Sequence, residues 1–231
     1  MADWISFYDF KHSIIYVNER HRDVHYRTIA QDIRRYIPSP DAHVLDYGSG
    51  EATSADLVSE ACATLVMAEA APNVRASLTM RYAGNPRITV VTPEGAAALP
   101  PGSLDLIVMH SVAQYLSGAQ IDKQLAVFRK LVKPGGLLIV GDVVPPNFSA
   151  PAAAVALLRF GARNGFLGAA VFGLIRIVTS DYLRLRKSVG LSRYLQADMI
   201  EKLRVAGFAA TRADRNIGHN QWRMTFLARP Q

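Results

Sequence analysis

Five short apolar runs, separated by segments long enough to form helices, restrict the fold of this chain more than any other feature. Each has the composition of a buried strand, and they lie at residues 43–47, 65–69, 88–92, 104–110 and 137–142. Parallel strands need a crossover connection, usually a right-handed one through a helix, so the alternation predicts parallel pairing. We therefore predict an open α/β sheet with helices on both faces.

The remaining segments extend this prediction toward both ends of the chain. The last helix between the apolar runs has apolar residues at helical spacing from 121 to 132 and is predicted to end at Pro134-Gly135-Gly136. Other predicted elements are a helix at 11–36, an apolar helical segment at 151–178, a helix at 196–206 that Gly207 ends, and strands at 209–216 and 223–229. The short connection at 217–221 predicts an antiparallel hairpin.

Composition excludes several classes of protein. Half of the 231 residues are apolar and 19% are charged, which suits one globular domain and excludes bulk disorder. The one cysteine, Cys62, excludes a disulfide scaffold and a cysteine-based zinc site, and it favours a reducing compartment. The N-terminal residues lack the pattern of a secretory signal, and the apolar run 165–175 is shorter than the ~20 residues of a membrane span. We therefore expect a cytoplasmic protein.

The sequence VLDYGSGEA at 44–52 places an acid, Asp46, and a glycine turn directly after the first predicted strand. Gly48 permits a tight turn, Gly50 permits close approach of a ligand, and Ala52 lets a helix pack near the strand. Glu69 ends the next strand, 21 residues after Gly48, where its carboxylate suits both hydroxyls of a ribose. The pattern predicts a nucleoside ligand; the alternative is a turn that only packs a helix.

The charges around this turn favour one kind of nucleoside. A pyrophosphate dinucleotide uses a helix N-terminus as its anion site, but Glu51 is predicted to open this helix and would repel a pyrophosphate. Asp46 just before the turn prefers a cation or a donor. S-adenosylmethionine, which has an adenosine, an ammonium and a sulfonium, satisfies both preferences.

In these residues the chain resembles the class I S-adenosylmethionine-dependent methyltransferases. The similarity covers roughly residues 40–145 and the terminal hairpin. Its motifs are VLDYGSGEA, MAEAAPNV, LPPGSLDLIVMHSVAQYL and FRKLVKPGGLLIVGDVV, in the family's order. The resemblance implies a Rossmann-like, doubly wound, seven-stranded sheet whose last strand is antiparallel. It also implies that the cofactor contacts include Asp46, Gly48, Ser49, Gly50, Glu69 as the ribose ligand, and Ala70.

The sequence departs from the family pattern at three places. Ala52 replaces the third glycine of the turn. An Asp that commonly follows the third strand and contacts the adenine amine is replaced by Thr92-Pro93-Glu94, so either Glu94 or the backbone makes that contact. Met109-His110-Ser111-Val112 stands where amino methyltransferases of nucleic acids carry Asn-Pro-Pro-aromatic, so no nucleic-acid acceptor is expected.

Methyl transfer is an in-line displacement that depends mainly on positioning, and a base is needed only if the acceptor has a proton to lose. The ligand is expected beyond the carboxyl ends of the strands. His110 and Tyr115 are the candidate catalytic residues there; His110 alternatively stacks on the cofactor, and Tyr115 alternatively belongs to the core. Candidate acceptor contacts are Ser111, Gln114, Tyr115 and Asp142. Asp142 alternatively caps the loop before Pro145.

Two more segments supply candidates. His21 and His25 share a helical face at spacing i, i+4, but with no third ligand evident we predict a lid helix without metal. Tyr16 and Tyr26 on this segment are expected to touch the cofactor or the acceptor. His219 lies in the predicted hairpin turn at the same sheet edge, where it either reaches the acceptor or serves the turn alone.

Residues 146–195 interrupt the path from the fifth strand to the last helix. Their apolar helical face comprises Phe166, Leu167, Ala170, Val171, Leu174, Ile175 and Val178. Within 151–195, the single acid Asp181 is outnumbered by Arg159, Arg163, Arg176, Arg184, Arg186, Lys187 and Arg193. We predict a lid over an apolar acceptor pocket; alternatives are peripheral contact with an anionic membrane, ordinary core packing and a homodimer interface.

The single domain is thus divided into an N-terminal helical lid at 1–37, a cofactor-binding core at 38–145, an insertion at 146–195, and the last helix with its hairpin at 196–231. The predicted function is methyl transfer to an O or N atom of a small, largely apolar metabolite or lipid. Alternatives are a membrane-surface phospholipid N-methyltransferase and an RNA or DNA methyltransferase. For an RNA or DNA methyltransferase, the sequence lacks a stacking platform of aromatic and basic residues. A protein that binds the cofactor without catalysis is a further alternative.

Overall fold

Seven strands form one sheet in a computed structural model that describes Ile5, Asp9 and residues 16–179 and 191–231. The strands are β1 His43–Tyr47, β2 Thr64–Ala68, β3 Ile88–Val91, β4 Leu104–His110, β5 Val132–Val143, β6 Phe208–Arg212 and β7 Met224–Pro230. Their order is β3-β2-β1-β4-β5-β7-β6, and β7 is antiparallel to both of its neighbours. The predicted α/β fold with an antiparallel last strand is confirmed.

The helices cover both faces of this sheet. They are α1 Glu19–Arg34, α2 Ala55–Ser59, α3 Pro72–Arg81, α4 Pro93–Ala97, α5 Gly118–Leu131, α6 Ala150–Asn164, α7 Leu167–Thr179 and α8 Gln196–Val205, with a 3-10 helix at Ala113–Tyr115. Within the described residues, no helix combines the length and the apolarity needed to cross a bilayer.

The core lies in two layers because successive strand residues point to opposite faces of the sheet. Val44 packs on the face that also holds Met67, whereas the adjacent Leu45 packs on the face that holds Phe128. All four side chains are fully buried or nearly so. A third, smaller cluster of Phe160, Phe166 and Ala170 joins α6 to α7.

The strand order positions the functional site. From β1 the chain proceeds outward through β2 to β3 and then returns to place β4 on the other side of β1. Both neighbours are parallel to β1, with Val44 opposite Leu65 on one side and opposite Leu106 on the other. Such a reversal opens a crevice at the carboxyl ends of the strands, where ligands of α/β proteins bind.

Several predicted boundaries were wrong. The break at Pro134-Gly135-Gly136 does not separate α5 from β5, because α5 ends at Leu131 and β5 already begins at Val132. Gly136 lets the strand run close beside β4: a Cβ there would lie 3.0 Å from the carbonyl oxygen of Asp105.

The predicted strand at 209–216 is also shorter, since β6 ends at Arg212. Side-chain bonds hold the loop that follows: Ile217 N donates to Thr225 Oγ1, and Thr225 Oγ1 donates to Asn216 Oδ1. These bonds replace the strand ladder, so a loop at 213–223 stands where a short hairpin turn was predicted. We call it the 213–223 loop.

The segments predicted as lids are helical only in part, since residues 16–18 and 191–195 are described but lie outside the helices. Helix α1 begins at Glu19, and its capping residue Asn18 accepts a hydrogen bond from His21 N at 2.8 Å. Residues 11–15 of the predicted helix, the side chain of Val178 and the basic residues at 184–187 lie outside the described residues. In α7, Phe166 and Ala170 of the predicted apolar face are buried, whereas Leu167, Val171 and Ile175 are exposed.

Candidate cofactor and acceptor site

A cavity of about 580 Å³ lies at the carboxyl ends of the parallel strands, within the size range of small-molecule sites. It reaches from the turn after β1, past the ends of β4 and β5, to α1, α6 and the 213–223 loop. All fifteen residues predicted to bind cofactor or acceptor line it: Tyr16, Tyr26, Asp46, Gly48, Ser49, Gly50, Glu69, Ala70, Glu94, His110, Ser111, Gln114, Tyr115, Asp142 and His219.

The turn after β1 requires its glycines. Gly48 and Gly50 have φ values of +77° and +59°, in the left-handed region that favours glycine. A Cβ on Gly48 would lie 2.3 Å from Val112 Cγ2, and one on Gly50 would lie 2.8 Å from the Tyr26 hydroxyl. The turn is thus pressed between the segment after β4 and helix α1, and its backbone forms the floor of the cavity.

The Glu69 carboxylate holds this turn against the end of β2. One oxygen accepts from Gly50 N at 2.9 Å, and the other accepts from Ala71 N at 2.8 Å. Nearby, the Ser49 hydroxyl is buried and has no hydrogen-bond partner among the described residues. Buried polar groups are normally satisfied, so the cradle fits a polar ligand that supplies the missing bond.

The electrostatics of the cradle favour a cation. Burial, and to a lesser extent the nearby Glu69, raise the pKa of Asp46 to about 7. Glu51 does not open a helix as predicted, because α2 begins only at Ala55. Its carboxylate instead lies 3.7 Å from Arg22, so part of its charge is offset. Asp46 is therefore the carboxyl whose charge would gain most from a cationic ligand.

Glu94 lies at the rim of the cavity, in the first turn of α4. Its side chain is exposed, and hydrogen bonds from its own backbone N–H and from the Thr92 hydroxyl lower its pKa. Thr92 also caps the helix by accepting from Gly95 N at 3.1 Å. The carboxylate is therefore ionised and available at the cofactor end of the cavity.

The imidazole of His110 packs between two glycines at the end of β4. A Cβ on Gly141 would lie 2.8 Å from its Nδ1, and a Cβ on Gly218 would lie 3.9 Å from its Nε2. Nδ1 is buried and has no hydrogen-bond partner in the part of the chain that the structure describes, and burial lowers the pKa of this histidine. His110 is thus a neutral ring whose Nδ1 edge faces β5.

Asp142 at the end of β5 is held by other protein groups. Its carboxylate pairs with Arg223 and accepts hydrogen bonds from the Ser111 hydroxyl and from Asn216 Nδ2. Burial alone would raise the pKa of Asp142, but the Arg223 charge and these bonds outweigh it and lower the pKa. Ser111 and Asp142 both have left-handed backbone, with φ of +59° and +62°, so this network holds strained strand ends together.

Aromatic and imidazole rings close the far end of the cavity. We call Tyr16, His21, His25, Phe160, Phe166 and His219 the ring cluster. His219 stacks on Phe160 at 4.3 Å, and His21 stacks on Phe166 at 5.0 Å. The centroid of His219 also lies 5.7 Å from that of His25. The cluster therefore joins α1, α6 and the 213–223 loop into one roof.

The histidines of the ring cluster are neutral at neutral pH. Burial, and next the proximity of His219, lower the pKa of His21 to about 4; burial also lowers that of His219 to about 4. The pKa of His25 is held well below its ordinary value, mainly by burial. Among the described residues, no group of three or more metal-ligating side chains is arranged to hold a metal ion.

The remaining candidates lie between the cradle and the roof. The Tyr26 hydroxyl accepts from Glu51 N at 2.9 Å, which fixes α1 against the turn. Gln114 Nε2 donates to the Ser111 carbonyl at 3.1 Å, and Tyr115 follows it in the cavity wall. Tyr16 packs its ring 5.6 Å from that of His25.

Sequence reasoning missed several residues of the site. Arg223, Asn216 and Leu157 contribute to the wall or to the network behind it, and Phe160 supports His219. Only Leu157 and Phe160 carried a signal, because both lie in the apolar segment predicted to cover the acceptor. Asn216 and Arg223 lie at the ends of the two predicted strands, 209–216 and 223–229, and nothing in the sequence indicated that they belong to the site.

Comparison with known proteins is consistent with this geometry. Residues 45–140 match the family model of a methyltransferase domain. No curated protein matches the chain in sequence.

Three similar solved structures share the fold of this chain over nearly all of both chains. Magnesium protoporphyrin IX methyltransferase (ChlM) from Synechocystis PCC 6803 with bound SAH has a TM-score of 0.61 at 13% identity, covering 97% of this chain and 96% of that one. The DhpI-SAH complex has a TM-score of 0.60 at 12% identity, covering 98% and 94%. A chain from the Haloferax volcanii complex of a methyltransferase with its activator Trm112 has a TM-score of 0.61 at 12% identity, covering 99% and 97%.

Proposed function

We propose that the chain is a class I S-adenosylmethionine-dependent methyltransferase and that it methylates an O or N atom of a small, largely apolar metabolite or lipid. One observation carries this proposal. A single cavity joins the glycine turn and Glu69 at one end to rings and to Leu157 at the other. The first end suits an adenosine with positive charge, and the second suits an apolar acceptor.

The residues that would hold the cofactor are those of the cradle. Glu69 would bind the ribose hydroxyls, Ser49 would gain the partner that it lacks, and the Asp46 carboxylate would face positive charge; Glu94 at the rim would lie toward the adenine. S-adenosylmethionine, when bound, supplies a methyl group that a positively charged sulfur activates for displacement. The chain's own contribution is to orient the acceptor and to exclude water.

The acceptor end would provide that orientation. The roof made by α1, α6 and the 213–223 loop would keep water out of the cavity. We therefore propose that the N-terminal helix and the insertion act as lids. His110 and Tyr115 border the junction of the two ends and are proposed as residues of the reacting centre. Tyr16, Tyr26, Ser111, Gln114 and His219 are proposed acceptor contacts, and Asp142 supports them through its network.

The test combines binding and turnover. Calorimetry is expected to detect binding of S-adenosylmethionine and of S-adenosylhomocysteine, and methyl-labelled cofactor is expected to transfer label to a component of a metabolite or lipid extract. Tight binding of NAD with no heat from either sulfur compound would refute the proposal. Labelling of RNA or DNA alone would refute the acceptor class.

Binding of S-adenosylmethionine is expected to tighten as the pH rises from about 5.5 to about 7.5. The Asp46 carboxyl, with its pKa near 7, is mostly protonated at the lower limit and mostly ionised at the upper one. A cation binds the ionised form more strongly, so the Kd is expected to fall by up to about tenfold per pH unit below the pKa. Calorimetry over this range measures the effect. Identical pH profiles for the wild type and Asp46→Asn would contradict the proposed contact.

A second candidate function is suggested by the outer face of the insertion. We propose peripheral attachment of α7 to an anionic lipid surface, which would suit a phospholipid N-methyltransferase. Leu167, Val171, Phe172 and Ile175 are exposed there, and Arg159, Arg163 and Arg176 are exposed nearby. Exposed apolar residues with basic neighbours are typical of helices that lie in the headgroup region. We propose that the protein is cytoplasmic and binds the membrane from that side. Its one cysteine, Cys62, is a free thiol, which suits a reducing compartment.

Phe172→Asp is expected to weaken binding to phosphatidylglycerol vesicles roughly 30-fold, since burial of a phenylalanine side chain contributes about 2 kcal/mol. Vesicle co-sedimentation measures it. The matched control is Met80→Asp on α3, because Met80 is 73% exposed and Phe172 is 69% exposed. Equal losses in both variants, or no binding of the wild type, would exclude the membrane contact. A dimer that Phe172→Asp dissociates would assign this face to self-association instead.

A further inference from the structure

We propose that His25 accepts the proton of a neutral aromatic hydroxyl, a phenol or an enol, bound against the ring cluster. The inference rests on the proposed function and specifies the attacked atom as oxygen. Its starting point is an unpartnered atom: Nδ1 of His25 is buried and has no hydrogen bond in the described residues, although His25 lines the cavity. A buried polar atom beside a ligand cavity is best explained by a bond to the ligand.

The other imidazoles of the cavity are less suited to this role. Nδ1 of His21 already accepts from Val17 N at 3.3 Å. Nδ1 of His110 faces Gly141 in β5 and points into the sheet. His219 lies flat on Phe160, which makes it part of the wall. His25 alone among these four combines an unpartnered buried nitrogen with a position in the ring cluster.

The chemistry of the ring cluster selects the acceptor. Its members are neutral rings with apolar faces, and Asp142 and Arg223, two charges that act on its histidines, already pair with each other. A cationic acceptor would lose its hydration without gaining a partner, whereas a neutral aromatic ring packs well against other rings. A neutral amine attacks through its lone pair and has no need of a base before attack. An aliphatic alcohol is a much weaker acid than a phenol and suits so weak a base poorly.

The proton and electron balance is complete without another reagent. The acceptor oxygen uses a lone pair to form its bond to the methyl carbon, and the electron pair of the carbon–sulfur bond stays on sulfur. The acceptor's O–H electron pair stays on oxygen while its proton goes to Nδ1 of His25. One positive charge leaves the sulfur and one appears on the imidazole, so the net charge in the cavity is unchanged.

The groups around His25 determine when it can take this proton. It faces His21 and Tyr26 on its own helix, Tyr16 before it, His219 from the 213–223 loop, and His110 and Asp142 at the strand ends. Burial and the other imidazoles lower its pKa, and Asp142 opposes them. A positive charge in the cradle also disfavours an imidazolium. Proton transfer is therefore favoured as that charge disappears, in step with methyl transfer.

The experiment uses two phenols that differ in acidity, 4-methylphenol, which is neutral at about pH 8, and 4-nitrophenol, which is largely ionised there. His25→Asn retains a polar atom near the Nδ1 position but is not a base. It is expected to lower kcat on 4-methylphenol about 100-fold and kcat on 4-nitrophenol less than about threefold. Calorimetric affinities for S-adenosylhomocysteine and for 4-methylphenol are expected to stay within about threefold of the wild type.

Controls separate this role from a structural one. The control variant is His43→Gln, which changes an exposed histidine at the opposite end of the strands and is expected to alter none of these values. If His25→Asn is unfolded, His25→Gln is used in its place. Equal losses on both phenols, or no turnover of either phenol by a wild type that binds S-adenosylmethionine, would overturn the proposal. A wild type that fails to bind S-adenosylmethionine would instead refute the proposed function itself.

Discussion

Glu69→Ala is expected to weaken binding of S-adenosylmethionine by about 100- to 1000-fold. The variant loses the two bonds by which the carboxylate holds Gly50 N and Ala71 N, and with them the proposed contacts to the ribose. Hydrogen bonds to a charged group contribute about 1.5–3 kcal/mol each. Loss of about two bonds at the lower end of this range, about 3–4 kcal/mol in the bound state, corresponds to this change in Kd.

Calorimetry with S-adenosylmethionine measures this effect, and thermal unfolding shows whether each variant is folded. Glu69→Gln retains the shape and one acceptor oxygen, so its loss is expected to be smaller. The matched control is Glu60→Ala, which removes an exposed carboxylate of the same charge and is expected to leave the Kd unchanged. An affinity of Glu69→Ala within about threefold of the wild type would exclude Glu69 as a cofactor ligand.

Asp142→Ala is expected to reduce the free energy of unfolding by about 3–5 kcal/mol, because it leaves the buried Arg223 without its counter-charge. Ser111 and Asn216 lose their acceptor in the same variant. The side chains of Asp142 and Arg223 are only 12% and 13% exposed, so solvent offers little compensation. Alanine also fits poorly at a φ of +62°.

Urea denaturation measures this loss. The control is Asp122→Ala, which breaks an ion pair with Lys202 in which the Asp122 side chain is 55% exposed; exposed pairs contribute about 1 kcal/mol or less. Asp142→Asn retains hydrogen-bonding capacity and is expected to be intermediate. Equal losses in Asp122→Ala and Asp142→Ala would show that the strand-end network does not stabilise the fold.

Much of the cofactor cradle could be predicted from sequence because its determinants are local. An apolar strand, an acid and two glycines are consecutive in VLDYGSGEA, and Glu69 follows at the end of the next strand. Backbone sterics require glycine at these turns, and parallel pairing places the ends of β1 and β2 side by side. The glycines thus indicated the turn, and the carboxylates indicated the nucleoside ligand.

The boundaries that were wrong have a common cause. Pro134-Gly135-Gly136 resembles a break, yet it lies within β5, where Gly136 allows close contact with the backbone of β4. The strand predicted at 209–216 ends early because Asn216 and Thr225 bond to each other and to the backbone. In the first case a contact between two strands overrides the local pattern, and in the second case side-chain bonds across the loop do so.

The sequence by itself determined the alternation of strands and helices, the glycine turn and its carboxylates, because periodicity and backbone sterics act between neighbouring residues. Only the tertiary structure decided that His21 and His25 from α1 meet His219, Phe160 and Arg223 around one cavity. Those contacts span much of the chain and depend on how α1, α6 and the 213–223 loop pack over the sheet. The same packing buries the imidazoles and Asp46, and burial cannot be read from the type of a residue. This burial keeps the imidazoles neutral and raises the pKa of Asp46 to about 7.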